Sequence, residues 1–177
     1  MRAHTPNHSS KESDHLYKLI EENKEQLYRL AYSFVKNRED ALDIVQETIY
    51  KAIVSIDTLR KPEFLKSWLY RIAINCSHNS LRKMRRMVVM DTSILENVMQ
   101  HSDKNRDDIF DVRQALEKLD LKYKTVIILR FFEDMTLESV AEILDVPVST
   151  VKTRLYRGLQ KLKIDLQEVE HLEQSIK

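Results

Sequence analysis

Glycine is almost absent from this chain: Gly158 is the one glycine in 177 residues, and there are three prolines. Tight β-turns need residues that adopt positive φ, and glycine does so most readily. A fold built from many hairpins is therefore disfavoured. Helix-forming Glu, Lys, Leu and Arg are abundant instead, and the chain is predicted to be all-α.

Apolar residues recur at spacings of three and four from residue 15 to residue 54, with a break at Lys36-Asn37-Arg38. This pattern predicts two amphipathic helices. The predicted core positions of the second helix are Ala41, Ile44, Val45, Thr48, Ile49, Ala52 and Ile53.

Residues 57–62 are predicted to form a loop, because Pro62 disfavours helix before it and suits a helix start after it. A long basic helix then follows. Its predicted core face consists of Leu65, Leu69, Ile72, Ala73, Cys76 and Leu81.

Periodicity fades after residue 86 and returns at residue 111, with the polar run QHSDKNRDD between. This pattern is typical of a linker between two small domains. We predict a disordered lead over 1–14, a helical domain over 15–86, a flexible linker over 87–110, a four-helix domain over 111–167 and a C-terminal tail over 168–177.

Three sequence features bear on the compartment. Cys76 is the one cysteine, so an internal disulfide is excluded and a reducing environment is favoured. No apolar run approaches the roughly 20 residues that span a bilayer, and the polar N-terminus lacks the apolar core of a signal peptide. A cytoplasmic protein without membrane insertion is predicted.

The net charge of +1 conceals two basic blocks. Residues 60–86 carry eight basic side chains against one acidic residue, Glu63, and residues 149–163 carry five basic side chains and no acidic one. Solvated helix faces usually mix both signs, because opposite charges at i, i+4 stabilise a helix. The blocks therefore indicate a polyanionic partner.

The second block is part of a helix-turn-helix pattern. A short amphipathic helix with Leu137, Val140, Ala141 and Leu144 on one face precedes the break Asp145-Val146-Pro147, and a basic helix follows. On that helix Ser149, Lys152, Thr153, Tyr156 and Arg157 face away from the stripe Val151, Leu155, Leu159 and Leu162. Arg can bind a guanine edge and Lys a phosphate, which favours duplex DNA binding over the alternative of a solvated basic face.

The first block interleaves cations with Phe64, Trp68 and Tyr70. Rings stack on unpaired bases while cations follow the backbone, so this pattern suits single-stranded nucleic acid. Asn75 and Asn79, four apart, can hydrogen-bond base edges. The alternative is that Trp68 and Tyr70 are core residues.

A polar strip opposes the predicted core of the second helix: Asp43, Gln46, Glu47 and Tyr50, with Leu42 beside it. Such a strip suits either protein docking or plain solvation, and the residues alone do not rank the two. Signals of catalysis or of a cofactor are lacking. Cys76 and His78 have no second ligand pair, and one glycine cannot build a phosphate-binding loop. We predict no enzymatic activity and no cofactor.

Three segments together resemble the extracytoplasmic-function subfamily of bacterial sigma-70 factors: LYRLAYSFVKNREDALDIVQETIYKAI, SWLYRIAINCSHNSLRKMRR and LRFFEDMTLESVAEILDVPVSTVKTRLYRGLQKLK. The resemblance covers residues 16–86 and 111–166, and it is nearest to the envelope-stress members of Bacillus-type bacteria. It implies a cytoplasmic transcription factor that binds core RNA polymerase and initiates from −35/−10 promoters of a stress regulon.

The resemblance also implies residue roles. The strip would dock on the β′ clamp helices, and LRFFEDM on the β flap. The loop Leu59–Phe64 would capture a flipped non-template base together with Asn75 or Asn79. The residues implied at the −10 element are Arg60, Lys61, Phe64, Trp68, Arg71, Asn75, Asn79, Arg82 and Lys83. Those implied at the −35 element are Ser149, Thr150, Lys152, Thr153, Arg154, Tyr156, Arg157 and Lys161.

An anti-sigma factor is a further implied partner. Two other functions compete with this one. A stand-alone dimeric helix-turn-helix regulator would recognise a palindrome without polymerase. A helical scaffold protein would show no salt-dependent DNA binding.

Overall fold

The computed structural model describes residues 10–59, 61–90 and 116–162, which are helical apart from short connections. The α-helices are α1 Ser10–Val35, α2 Arg38–Ser55, α3 Leu65–Met90, α4 Leu121–Ile127, α5 Leu137–Leu144 and α6 Val148–Lys161. Residues 116–118 are also helical, 3₁₀ turns span Ile56–Thr58 and Pro62–Phe64, and a π-helical turn spans Ile128–Phe132. No strand occurs in these three stretches, and the all-α prediction is confirmed.

The chain divides into two compact units, Met1–Leu81 and Arg82–Lys177. The division falls inside α3, five residues before the predicted domain end, and α3 itself continues to Met90. At the other end, α1 begins at Ser10, inside the lead that was predicted to be disordered. The predictions for the remaining linker residues and for the C-terminal tail lie outside the described residues.

A break separates α1 from α2, as the sequence predicts, and the structure shows a helix cap at this break. Lys36 ends α1 in a left-handed conformation, with φ 56°. The side-chain oxygen of Asn37 then accepts hydrogen bonds from the backbone N–H groups of Glu39, at 2.8 Å, and Asp40, at 3.1 Å. This cap satisfies donors that the first helical turn leaves unpaired, so α2 begins at Arg38.

The core of the first unit lies among α1, α2 and α3. Its buried apolar residues include Leu16, Leu27, Leu30, Phe34, Ala41, Ile44, Ala52, Leu69, Tyr70, Ala73, Ile74 and Cys76. Five predicted core positions of α2 and α3 differ: Ile53 is 38% exposed, and Ile49, Leu65, Ile72 and Leu81 are half-buried. Apolar periodicity indicates which face of a helix is buried but not how completely each position on that face is covered, so it overestimates burial at these positions.

The helix-turn-helix of the second unit is confirmed. Thr136 caps α5 by accepting a hydrogen bond from Ser139 N–H at 3.1 Å. Asp145 ends that helix with φ 56°, and the N–H of Val146 donates to the Ala141 carbonyl at 3.1 Å. The carbonyl of Pro147 then accepts from Val151 N–H at 3.2 Å, which starts α6.

The buried stripes of α5 and α6 follow the predicted spacing with two changes. Ile143 is buried where Leu144 was predicted, and Leu144 and Leu162 are half-buried. Gly158 extends the buried stripe of α6. A Cβ at this position would lie 2.9 Å from Ile127 Cδ1 and 3.3 Å from Tyr123 Cβ. The glycine therefore lets α6 approach α4 more closely than a side chain would allow.

Candidate nucleic-acid and polymerase interfaces

The polar face of α6 is a basic surface. Ser149, Lys152, Thr153, Tyr156, Arg157 and Lys161 are exposed, and Thr150 and Arg154 are half-buried. The cations Lys152, Arg154 and Arg157 form no ion pair with any residue in the described stretches. Cations that are not neutralised by the protein remain available to phosphates.

Lys161 lies at the end of this face, on the flank that borders α4. Its Nζ is 5.6 Å from the centroid of the Tyr123 ring. Lys122 approaches the same ring from α4, at 4.9 Å. The positive surface of α6 thus continues onto a second helix, which the sequence alone did not indicate because it depends on the α4–α6 packing.

The loop before α3 presents an aromatic side chain beside a cation. Phe64 is 41% exposed, and the Nζ of Lys61 lies 5.8 Å from its ring centroid. Lys61 also approaches the Glu63 carboxylate at 3.9 Å. An exposed ring with a neighbouring cation is suited to stacking with an unpaired base. Arg60 lies outside the described residues.

Five predicted −10 residues share one face of α3, at spacings of three and four: Trp68, Arg71, Asn75, Asn79 and Arg82. The two asparagines and Arg82 are exposed, as is the neighbouring Lys83, whereas Trp68 and Arg71 are half-buried. Tyr70, by contrast, is a core residue, and its hydroxyl lies 3.5 Å from Asn23 Oδ1. The alternative that these two aromatic residues belong to the core therefore holds for Tyr70, whereas Trp68 is only partly buried.

A groove of about 340 Å³ opens between α2 and α3. Its lining residues are Tyr50, Lys51, Val54, Ser55, Ile72 and Asn75. It brings Tyr50 of the polar strip beside Asn75 of the basic helix. The sequence did not predict it, because helical periodicity gives the face of each helix but not the depth at which two helices meet.

The polar strip lies on the exposed side of α2. Asp43, Gln46, Glu47 and Tyr50 are all exposed, with Tyr50 at 67%. Glu47 pairs with Lys51 at 2.6 Å, and this hydrogen bond raises the pKa of Lys51. Asp43 forms no ion pair with a residue of the described stretches.

Cys76 lies in the core beneath this region, and burial raises the pKa of its thiol against the opposing effect of a hydrogen bond with Thr48. A buried thiol with a raised pKa carries little thiolate and is unreactive. The residue therefore acts as a small core side chain.

Two protein-family models of sigma-70 factors match the chain: that of region 2 over residues 19–87 and that of region 4 over residues 109–162. The RNA polymerase sigma factor SigV of Bacillus subtilis is 48% identical over 147 residues, which cover 83% of this chain and 88% of SigV. The extracytoplasmic-function (ECF) sigma factor SigW of the same organism is 32% identical over 160 residues, covering 82% of this chain and 86% of SigW. The chain is an ECF sigma factor of the sigma-70 family.

Solved structures agree with this assignment. The sigma factor RpoE in complex with the anti-sigma factor NepR from Bartonella quintana has a TM-score of 0.60 and 26% identity, over 88% of this chain and 96% of RpoE. CnrH in complex with the cytosolic domain of CnrY has a TM-score of 0.61 and 25% identity, over 84% of each chain.

As a member of this family, the ECF sigma factor binds core RNA polymerase and promoter DNA and acts in transcription initiation. Sigma factors are initiation factors rather than enzymes, in agreement with the lack of catalytic signals in the sequence. None of the described helices combines the length and apolar character needed to cross a bilayer.

Proposed function

We propose that this sigma factor recognises the −35 element as duplex through α6 and opens the −10 element with the loop before α3 and the exposed face of α3. The observation that carries the proposal is the polar face of α6, where three cations form no ion pair with a described residue. Because α5 braces α6, the polar face of α6 can enter the major groove.

At the −35 element the eight residues of the predicted set divide by chemistry. Arg157 is the residue for a guanine edge, because its guanidinium offers two parallel donors and it is exposed, whereas Arg154 is half-buried. Lys152 and Arg154 bind phosphates, and Ser149 and Thr153 add neutral donors near the start of the helix. The phosphate contacts set the register, and Arg157 supplies sequence preference.

At the −10 element Phe64 stacks on an extruded base while Lys61 contacts the backbone. Extruding a base costs a few kcal/mol, and stacking on an exposed ring offsets about 1–3 kcal/mol of that cost. Asn75 or Asn79 then hydrogen-bonds the base edge. Arg71, Arg82 and Lys83 follow the phosphates along α3, and the half-buried Trp68 supports this face.

Polymerase binds both units in this proposal. The strip Asp43, Gln46, Glu47 and Tyr50 docks on the β′ clamp helices, with Leu42 as an apolar contact. Phe131 and Phe132, 38% and 48% exposed at the π-helical turn, dock on the β flap. Two modest contacts joined by one chain bind more tightly than either alone and still allow release.

An anti-sigma factor is proposed as the regulator. The RpoE structure contains the anti-sigma factor NepR, and the CnrH structure contains the cytosolic domain of CnrY. We propose that the anti-sigma factor binds the exposed aromatic and acidic side chains of the α2 strip and so competes with polymerase for this surface. We further propose that the sigma factor acts in the cytoplasm on a cell-envelope stress regulon, on the strength of its resemblance to envelope-stress members.

Run-off transcription tests the function. The sigma factor is mixed with bacterial core polymerase and a pool of random promoter fragments, and RNA 5′ ends are sequenced. New starts that share two spaced upstream elements are expected. No new starts with a compatible core enzyme would overturn the proposal and return the stand-alone regulator to consideration.

The docking strip has its own test. Asp43→Lys with Glu47→Lys should abolish core binding, because reversed charges across an interface cost several kcal/mol. The matched control is Glu21→Lys with Glu25→Lys, which reverses two exposed acidic residues on α1. Circular dichroism checks the fold. Core binding that survives the α2 reversal would contradict this assignment.

A further inference from the structure

We propose that Lys122 and Lys161 form a second DNA-contacting site, here called the basic rim, which binds phosphates of the duplex beside α6. The inference rests on the proposed recognition of duplex DNA by α6. It extends that interface to a residue on another helix, Lys122, which lies outside the −35 set predicted from the sequence.

The packing of α6 on α4 creates the basic rim. Gly158 brings the two helices together at Tyr123, where a Cβ would lie 3.3 Å from the Cβ of the tyrosine. Lys161 follows Gly158 by three residues, so it lies nearly one turn further along the same flank. Its ammonium nitrogen is 5.6 Å from the Tyr123 ring centroid, and that of Lys122 is 4.9 Å away.

The two lysines are exposed, whereas the tyrosine between them is buried. Neither lysine forms an ion pair within residues 10–59, 61–90 and 116–162. Two ammonium groups that face one ring repel each other, and the ring attracts each of them only weakly. An anion bound across the pair removes that repulsion.

Duplex phosphate is the anion that the surroundings favour. The flank that carries Lys161 also carries Thr150 and Arg154, so the basic rim continues the surface already assigned to DNA. Phosphates follow each other along one strand at about 3.4 Å of helix axis, and two lysines around one ring can therefore reach neighbouring phosphates. Because lysine is a point charge, these contacts add affinity without base preference.

The test uses the full chain and a fluorescein-labelled, mixed-sequence 30-base-pair duplex, with anisotropy titrations between 50 and 200 mM KCl. Log affinity falls as log salt rises, and Lys122→Gln and Lys161→Gln are each expected to make this negative slope shallower by about 0.9, which corresponds to one phosphate contact. That change in slope corresponds to a roughly fivefold to tenfold weaker affinity at 100 mM KCl. The loss should be equal on a duplex that contains the selected −35 element.

Lys118→Gln is the matched control, because Lys118 is an exposed lysine of the same unit that makes no contact with the Tyr123 ring. It should leave the slope unchanged. A slope for Lys122→Gln equal to that of the unaltered chain, or a change no larger than that of Lys118→Gln, would overturn the basic rim. No salt-dependent binding by the unaltered chain would instead contradict DNA recognition by α6.

Discussion

Two helices of this protein, α3 and α6, contain no acidic residue, yet their cations have different surroundings. On α6 the cations Lys152, Arg154 and Arg157 form no ion pair with described residues and stand among small hydroxyl side chains. Before α3 a cation lies beside an exposed ring: the Nζ of Lys61 is 5.8 Å from the ring centroid of Phe64, which is 41% exposed, whereas the ring beside Lys161 of α6 is that of the buried Tyr123.

This difference separates two ways of binding nucleic acid. Cations without rings suit a duplex, whose bases are stacked internally and whose phosphates and groove edges are all that a helix can reach. A cation beside an exposed ring suits a single strand, whose bases need a ring that they can reach and stack on. In the proposed function, similar basic composition therefore serves two substrates, and the exposure of the neighbouring ring distinguishes them.

The strongest test of the comparison is Arg157→Glu. It places a negative charge against the duplex, so binding to the −35 element should weaken by about 3 kcal/mol, which is more than a hundredfold. Binding of a single-stranded −10 oligonucleotide should be unchanged. Anisotropy on both probes measures this.

Arg157→Lys is the control for the base contact. It should keep the salt dependence and lose the preference for the −35 element, because lysine cannot bind guanine in the bidentate geometry of arginine. Equal weakening of both probes by Arg157→Glu would mean that the two helices do not divide duplex from single strand.

Gly158→Val separates the two units by stability. Its Cβ would lie 2.9 Å from Ile127 Cδ1, and its two further methyl groups enlarge the clash, so the second unit should lose about 2–3 kcal/mol of unfolding free energy. Gly158→Ala should lose about 1 kcal/mol, because better helix propensity offsets part of the overpacking. Hydrogen exchange of each unit measures both losses.

Gln160→Ala, an exposed substitution on the same helix, is the control and should stay within about 0.5 kcal/mol. Protection in α1 and α2 should be unaffected by all three variants. Stabilisation by Gly158→Ala would show that α4 can yield and that the glycine is not required for the close approach.

Sequence periodicity predicted most of this architecture because amphipathic helices record their buried face in every turn. The break at Asn37 and the turn at Asp145 were predictable, since caps and breaks depend on local residues. The groove beside Asn75 and the position of Lys122 were not. Each depends on how closely two helices approach, which Gly158 decides at α6 and which no single-helix pattern contains.

Phe64→Ala sharpens the comparison from the side of the single strand. Loss of a stacking ring should weaken binding of the −10 single strand by about 1–3 kcal/mol and leave −35 duplex binding unchanged. Permanganate footprinting of the holoenzyme should show fewer open complexes. Phe64→Trp retains a ring and should retain melting; equal defects in both variants would exclude stacking as the role of Phe64.

The smallest expected effect distinguishes Asn75 from Asn79. Both are exposed on one face of α3, but Asn75 lines the groove with Tyr50 and Ile72. A base edge that enters a groove exchanges water for one protein partner, and a neutral hydrogen bond there contributes about 1 kcal/mol. Asn75→Ala should therefore reduce the preference for the −10 base about fivefold, and Asn79→Ala should reduce it less.

Competition between −10 oligonucleotides that differ at one base measures this preference for each variant. Asn75→Asp serves as the shape control, since it keeps the side-chain volume and replaces the amide donor by an acceptor. A larger loss for Asn79→Ala would move base recognition one turn along α3, away from the groove. Equal losses for the two alanine variants would indicate that the asparagines act together on one base, and the groove would then have no separate part in discrimination.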